Sequence, residues 1–161
     1  MREKLPFGEF DEGDFIHLDG VTKIYQKGKI RVLALNELSL SVKRGEAIAI
    51  FGPSGSGKTT LLNLIGGLDS PSSGKIVVGG LPIHDMAPEQ LNAYRREHVG
   101  FIFQSLNLYP TLTVTENIFH QGQLASDAEE MVLMERVETL IERLGLTTRK
   151  NHLPEALSGG E

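Results

Sequence analysis

Between Phe15 and Lys43 the apolar positions recur with the short period of β-structure. Ile16, Leu18, Val21 and Ile24 lead to a turn at Gly28, and Ile30, Val32 and Leu33 follow it. Leu38-Ser39-Leu40-Ser41-Val42 then alternates apolar and polar residues, the period of a strand with one buried face. Two continuous apolar runs, Ala47-Ile48-Ala49-Ile50-Phe51 and Val99-Gly100-Phe101-Ile102-Phe103, read as fully buried strands. After the first run, Leu61-Leu62-Asn63-Leu64-Ile65 predicts a helix that ends on Gly66-Gly67. Ser70 to Gly74 is a turn, Lys75-Ile76-Val77-Val78 a short strand, and Glu89 to Arg96 a helix.

Beyond Gln104 the pattern becomes helical. Thr113-x-x-Glu116 and Ser126-x-x-Glu129 both have the spacing of a capping box. Leu133, Val137, Leu140, Ile141 and Leu144 form one apolar stripe, closed by Gly145, which predicts core packing. Glu135, Glu138 and Glu142 lie opposite it as a solvated face. The organisation expected is a polar, acidic leader (1–14), a core region with the strands (15–103) and a helical region (104–161). Strands interleaved with helices make this an α/β chain.

Composition narrows the class. The 161 residues are 40% hydrophobic and 23% charged, ordinary for a globular domain with a sizeable core. Apolar runs are far shorter than the ~20 residues needed to cross a bilayer, so direct membrane insertion is not expected. Met1 to Pro6 lacks the apolar core of a signal peptide. With no cysteine, disulfides and thiolate metal sites are excluded, which suits a reducing compartment. A net charge of −5 argues against a nucleic-acid surface. The five histidines (His17, His84, His98, His120, His152) have no metal-ligand spacing and read as surface or packing residues.

Candidate chemistry begins at Gly52-Pro53-Ser54-Gly55-Ser56-Gly57-Lys58-Thr59-Thr60, which fits G-x-x-x-x-G-K-[ST] between an apolar run and a helix. The glycines let the backbone N–H groups turn inward as an anion nest, and the helix start adds its dipole. Lys58 can reach the β- and γ-phosphates of a nucleoside triphosphate, and the Thr59 hydroxyl can ligate Mg²⁺. A dinucleotide-type G-x-G-x-x-G fails, because Thr60 stands where its last glycine would be. Tyr25, near a strand end, offers a ring that can stack on a base. Gln104 follows the second apolar run, where a carboxamide can meet Mg²⁺ and an attacking water.

Tyr25, the phosphate loop, Phe103-Gln104 and Leu157-Ser158-Gly159-Gly160-Glu161, in that order, resemble the ATP-binding subunit of an ABC transporter over residues 15–161. The resemblance implies a P-loop NTPase core with an antiparallel β subdomain and a helical subdomain. It implies that Tyr25 packs on adenine, Gln104 forms the Q-loop, and Leu157 to Glu161 is the signature motif. In that family the signature grips the γ-phosphate bound by a second subunit, through Ser158 and the glycine N–H groups. Ser158 and Glu161 also have capping-box spacing, and Glu161 stands where Gln is commoner. The implied partners are a second ATP-binding subunit, head to tail, and a transmembrane permease met around Gln104 to Glu116. The implied location is the cytoplasmic face of the membrane, held there by the permease. Val32-Leu33-Ala34-Leu35, Gly66-Gly67-Leu68-Asp69 and Val99 to Leu108 look most like the lipoprotein-release, macrolide-export and cell-division branch.

The family's catalytic Asp-Glu strand and switch histidine have no counterpart in these residues. Leu64 to Asp69 resembles such a strand, but it closes the phosphate-loop helix and no Glu follows. The expectation is therefore a piece of a longer subunit, whose two apolar runs expose bare faces and which does not hydrolyse ATP alone. Three alternatives remain. A P-loop kinase explains the loop but not Leu157 to Glu161. A DNA-binding relative of the chromosome-maintenance kind would carry a long coiled coil between Gln104 and Leu157. A nucleotide-binding remnant would bind without turnover.

Overall fold

The computed structural model describes residues 13–105, 107–126 and 128–161. Most of the expected leader lies outside the described residues, and Asp14 already belongs to the first strand, paired with Lys43. Internal contacts divide the chain into one unit ending at Val99 and another running from Gly100 to Glu161.

The first unit is built on a hairpin. Strands β1 (Asp14–Lys27) and β2 (Ile30–Lys43) pair antiparallel through the tight turn at Gly28-Lys29, where Gly28 has φ +61°. Strand β3 (Ser73–Val78) adds to the other edge of β1, giving the antiparallel order β2-β1-β3. Leu18 and Val21 are three residues apart and would fall on opposite faces of a regular strand. A register shift between them, with Gly20 at φ +57°, inserts the bulge that turns both inward. They pack with Ile76 and Val78, with Leu61 and Leu64 of helix α1 (Lys58–Ile65), and with Tyr94 of helix α2 (Pro88–His98). Each such buried aliphatic contributes about 1.5–3 kcal/mol. Gly67, at φ +67°, ends α1 as its glycine pair predicts.

The second unit packs helix α3 (Val114–Ala125) on helix α4 (Glu130–Arg143). Thr113 and Glu116 form the predicted capping box: Thr113 N–H donates to Glu116 Oε2 at 2.7 Å, and Glu116 N–H donates to Thr113 Oγ1 at 3.3 Å. The second predicted box is not formed. Ser126 is instead the C-cap of α3, and its Oγ accepts the Ala128 N–H at 3.1 Å, so α4 begins after Glu129. Along α4 the strict i, i+4, i+8 row Leu133, Val137, Ile141 is buried, while Leu140 and Leu144 of the expected stripe face outward.

Neither 47–51 nor 99–103 is a strand, against the expectation from their apolar pattern. A strand exists by exchanging N–H and C=O groups with a neighbour, and the only sheet among the described residues is β2-β1-β3. Ile50 and Val99 pack on the core, but Phe51 is 90% and Ile102 98% exposed. Those are the bare apolar faces expected for these runs.

Candidate functional site

The phosphate loop spans the segment from Gly52 to the first turn of α1. Gly57 is the N-cap of α1 at φ +88°, and a Cβ there would stand 2.4 Å from the Ala34 carbonyl oxygen. Only glycine lets the loop approach β2 this closely. Lys58 Nζ donates to the carbonyl oxygens of Gly52 (2.8 Å) and Pro53 (2.7 Å) and to Ser56 Oγ (3.3 Å). These neutral acceptors hold the ammonium against the loop, and a phosphate oxygen would offer it a stronger, charge-assisted bond. No acidic residue stands in the first turn of α1 to compete for the helix dipole. The Thr59 side chain is exposed and has no hydrogen-bond partner among the described residues, leaving a hydroxyl oxygen suited to a hard cation. Backbone donors, a cation and a hydroxyl on one helix start fit a Mg²⁺-bound polyphosphate.

Tyr25 lies on β1 opposite Val32, two residues along β2 from the Ala34 that Gly57 abuts. The residue is 40% exposed, and its hydroxyl donates to Asp69 Oδ2 at 2.9 Å. Lys23, on the same face of β1, donates to Asp69 Oδ1 at 2.5 Å and to the Ser70 carbonyl at 2.7 Å. Its ammonium also stands 4.9 Å from the Tyr25 ring centroid. Burial alone would raise the Asp69 pKa. Hydrogen bonds from Lys23, Tyr25 and the Ser70 N–H, with the charge on Lys23, hold it below the usual carboxylate range. Sequence reasoning reached Tyr25 but missed Lys23 and Asp69; the shared face of Lys23 and Tyr25 was the available signal.

The second unit holds Gln104 and the Leu157 to Glu161 segment. Gln104 is exposed in a bend after Phe101 and Phe103, whose rings stack with centroids 5.2 Å apart. Ser158 and Glu161 close the predicted capping box. Ser158 N–H and Oγ donate to Glu161 Oε2 at 2.9 and 2.7 Å, and Glu161 N–H returns to Ser158 Oγ at 3.4 Å. Arg149 Nε donates to the other oxygen of Glu161 at 3.2 Å. The Ser158 N–H, then its hydroxyl, and the Arg149 charge hold the Glu161 pKa below its ordinary value. Asn117, buried and unnoticed in the sequence, accepts from Tyr109 N–H (2.8 Å) and donates to the Tyr109, Leu112 and Thr113 carbonyls (3.1, 2.8 and 3.0 Å). It ties the 109–113 segment to α3.

The first unit thus carries a phosphate loop before α1 and a tyrosine on the adjoining hairpin, and the second a capped Leu-Ser-Gly-Gly-Glu segment. The profile of the family described as "ABC transporter" matches residues 35–161. The chain belongs to the ABC transporter family. It is 43% identical over 149 residues to the "Macrolide export ATP-binding/permease protein MacB" of Burkholderia pseudomallei (strain K96243), covering 92% of this chain and 23% of that protein. It is 40% identical over 146 residues to the "Lipoprotein-releasing system ATP-binding protein LolD" of Bacteroides fragilis (strain YCH46), covering 91% of this chain and 65% of that one. The fold matches a solved dimeric ATP-binding cassette in a post-hydrolysis state, bound to ADP and Pi, with TM-score 0.80 and 35% identity. That match covers 89% of this chain and 63% of the cassette. The chain thus spans less than a quarter of the macrolide-export relative and about two thirds of the others.

The architecture of this ABC-transporter chain is the expected α/β one, with an antiparallel β subdomain and a helical region. Among the described residues no helix is long and apolar enough to cross a membrane. No cluster of three or more His, Cys, Asp or Glu residues there could hold a metal ion.

Proposed function

We propose that this chain binds Mg²⁺-ATP and serves as the nucleotide-binding part of an ABC transporter that drives a membrane permease, of the export or lipoprotein-release type. In this reading Gly52 to Thr60 cradle the phosphates, with Lys58 on the β- and γ-phosphates and the Thr59 hydroxyl on Mg²⁺. Tyr25 packs on adenine. Gln104 is the Q-loop residue whose carboxamide serves Mg²⁺ and the attacking water. Leu157 to Glu161 face the nucleotide held by a second ATP-binding subunit, arranged head to tail, so each composite site draws on both chains. The permease contact lies around Gln104 to Glu116 and keeps the subunit at the cytoplasmic face. When bound, Mg²⁺ supplies charge neutralisation on the phosphates; the chain's own residues bind and orient them.

The observation that carries this reading is the Lys58 ammonium, held by the Gly52 and Pro53 carbonyls at the start of α1. The family and the relatives named macrolide-export and lipoprotein-releasing support its transport side. Calorimetric titration with Mg²⁺-ATP tests it. Saturable 1:1 binding that is lost in Lys58→Ala is expected, and equal binding by that variant would refute it. A P-loop phosphotransferase accounts for the loop but leaves Leu157 to Glu161 without a role. Within these 161 residues no apolar run ends in Asp-Glu, so the reading covers nucleotide binding and does not extend to turnover by this polypeptide alone.

A further inference from the structure

Tyr25 is held at its hydroxyl end and covered on one ring face by the chain itself. Asp69 Oδ2 takes the phenol hydrogen at 2.9 Å, and Lys23, bonded to Asp69 Oδ1, brings its ammonium to 4.9 Å from the ring centroid. A tyrosine free to turn on an exposed strand would have to be ordered when a base stacked on it. This one is ordered beforehand.

Asp69 is itself fixed to the phosphate-loop helix. The N–H groups of Leu68 and Asp69 both donate to the Asn63 carbonyl of α1, at 2.8 and 3.3 Å. Just beyond, Ser72 N–H donates to the Thr22 carbonyl at 2.8 Å, and Ser72 Oγ accepts the Ile24 N–H at 3.0 Å. The 68–72 segment therefore bridges α1, whose first turn carries Lys58 and Thr59, to the end of β1 that carries Tyr25. Its one side-chain tie to the ring is the Asp69 carboxylate.

We propose that Asp69 and Lys23 are positioning residues for the nucleotide base: they lock the Tyr25 ring at a fixed place relative to the phosphate loop, so that base and phosphates are bound by one preformed frame. The proposal rests on the reading of Tyr25 as the base platform. Neither residue touches the nucleotide. Their contribution is to remove the ordering cost of the ring before the base arrives, which appears as affinity for the base-bearing ligand alone. A free polyphosphate, using only the loop and α1, is indifferent to it.

The test compares Mg²⁺-ATP with Mg²⁺-tripolyphosphate by calorimetric titration of the full chain, in Tyr25→Phe, Asp69→Asn, the double variant and Tyr25→Ala. Circular dichroism melts accompany each variant. Tyr25→Phe keeps the ring and deletes only its anchor, so it reports even if Asp69→Asn fails to fold. The proposal expects Tyr25→Phe and Asp69→Asn each to weaken ATP by about three- to tenfold, the affinity equivalent of ordering one side chain. Tripolyphosphate binding stays unchanged, and the double variant is no weaker than the weaker single one, because both act on the same Tyr25–Asp69 contact, which Phe deletes and Asn leaves uncharged. A loss shared equally by tripolyphosphate overturns the proposal in favour of general damage to the loop. Full ATP affinity in Tyr25→Phe, beside weakened affinity in Tyr25→Ala, overturns the anchoring and leaves the base platform standing. Unchanged affinity in Tyr25→Ala overturns both.

Discussion

Gly57 has no room for a side chain because the Ala34 carbonyl oxygen of β2 would lie 2.4 Å from its Cβ, with Leu35 Cδ2 at 2.9 Å. The hairpin therefore acts as the back wall of the phosphate loop. Gly57 is also at φ +88°, where an L-residue is strained. Gly57→Ala is expected to cost about 2–4 kcal/mol, strain and overlap together, and to displace the Lys58 turn. Urea unfolding and Mg²⁺-ATP titration would register both losses. A variant with wild-type stability and affinity would show that the loop moves off β2 without penalty.

Asn117 supplies a second test, in the other unit. Asn117→Ala strands the Tyr109 N–H and the Leu112 carbonyl, while the Tyr109 and Thr113 carbonyls keep backbone donors from Leu112 and Asn117. The expected cost is about 1–3 kcal/mol. Asn117→Asp should cost at least as much, because its oxygens would face three carbonyls that now receive hydrogen bonds. Hydrogen exchange at the Tyr109 amide would accelerate in Asn117→Ala, whereas Asp keeps an acceptor for that N–H. Unchanged exchange in Asn117→Ala would mean that Asn117 does not hold the 109–113 segment.

What could be read from the chain beforehand was the local physics. The phosphate loop was legible because its chemistry demands particular residue types at fixed spacing, and the β1–β2 hairpin because alternation and Gly28 agree. The Thr113–Glu116 box was legible for the same reason, yet the identical spacing at Ser126–Glu129 misled. There, α3 runs through to Ala125 and claims Ser126 as its last cap, a competition no four-residue pattern reveals. The runs 47–51 and 99–103 show the complementary failure: their apolar pattern is local, whereas a ladder depends on a neighbour distant in sequence. Asp69 was out of reach for that reason too, since its partner Lys23 lies 46 positions away and no period connects them. The Ser158–Glu161 reciprocity was legible, but its reinforcement by Arg149, 12 positions off, was not.

Turnover separates binding from catalysis. General-base assistance contributes about 10²- to 10⁴-fold to such a reaction, and these residues contain the phosphate loop without an Asp-Glu run. A purified polypeptide of these 161 residues is therefore expected to release phosphate from Mg²⁺-ATP no faster than its Lys58→Ala variant. A malachite-green time course on both proteins measures it. Turnover clearly above the Lys58→Ala control would sink the expectation and require a base within the chain.

Tyr94 makes the alkaline limb of stability readable. It is 3% exposed, packs in the core beside α1, and donates its hydroxyl hydrogen to the Ile65 carbonyl at 2.8 Å. Burial raises its pKa from an ordinary 10.0 to about 12, because the phenolate cannot be solvated there. The folded state thus holds the proton more tightly than the unfolded chain does. The stability linked to that proton is fully present below pH 10.0 and is lost as pH climbs through about 12. Tyr94→Phe keeps the ring but removes the titration, leaving the Ile65 carbonyl one donor short for a cost of about 1 kcal/mol at neutral pH. Urea midpoints from pH 8 to 11.5 should fall more steeply in the wild type than in Tyr94→Phe above pH 10. Parallel curves would show that Tyr94 ionises without disturbing the fold, and that the contact between α2 and the end of α1 does not depend on its proton.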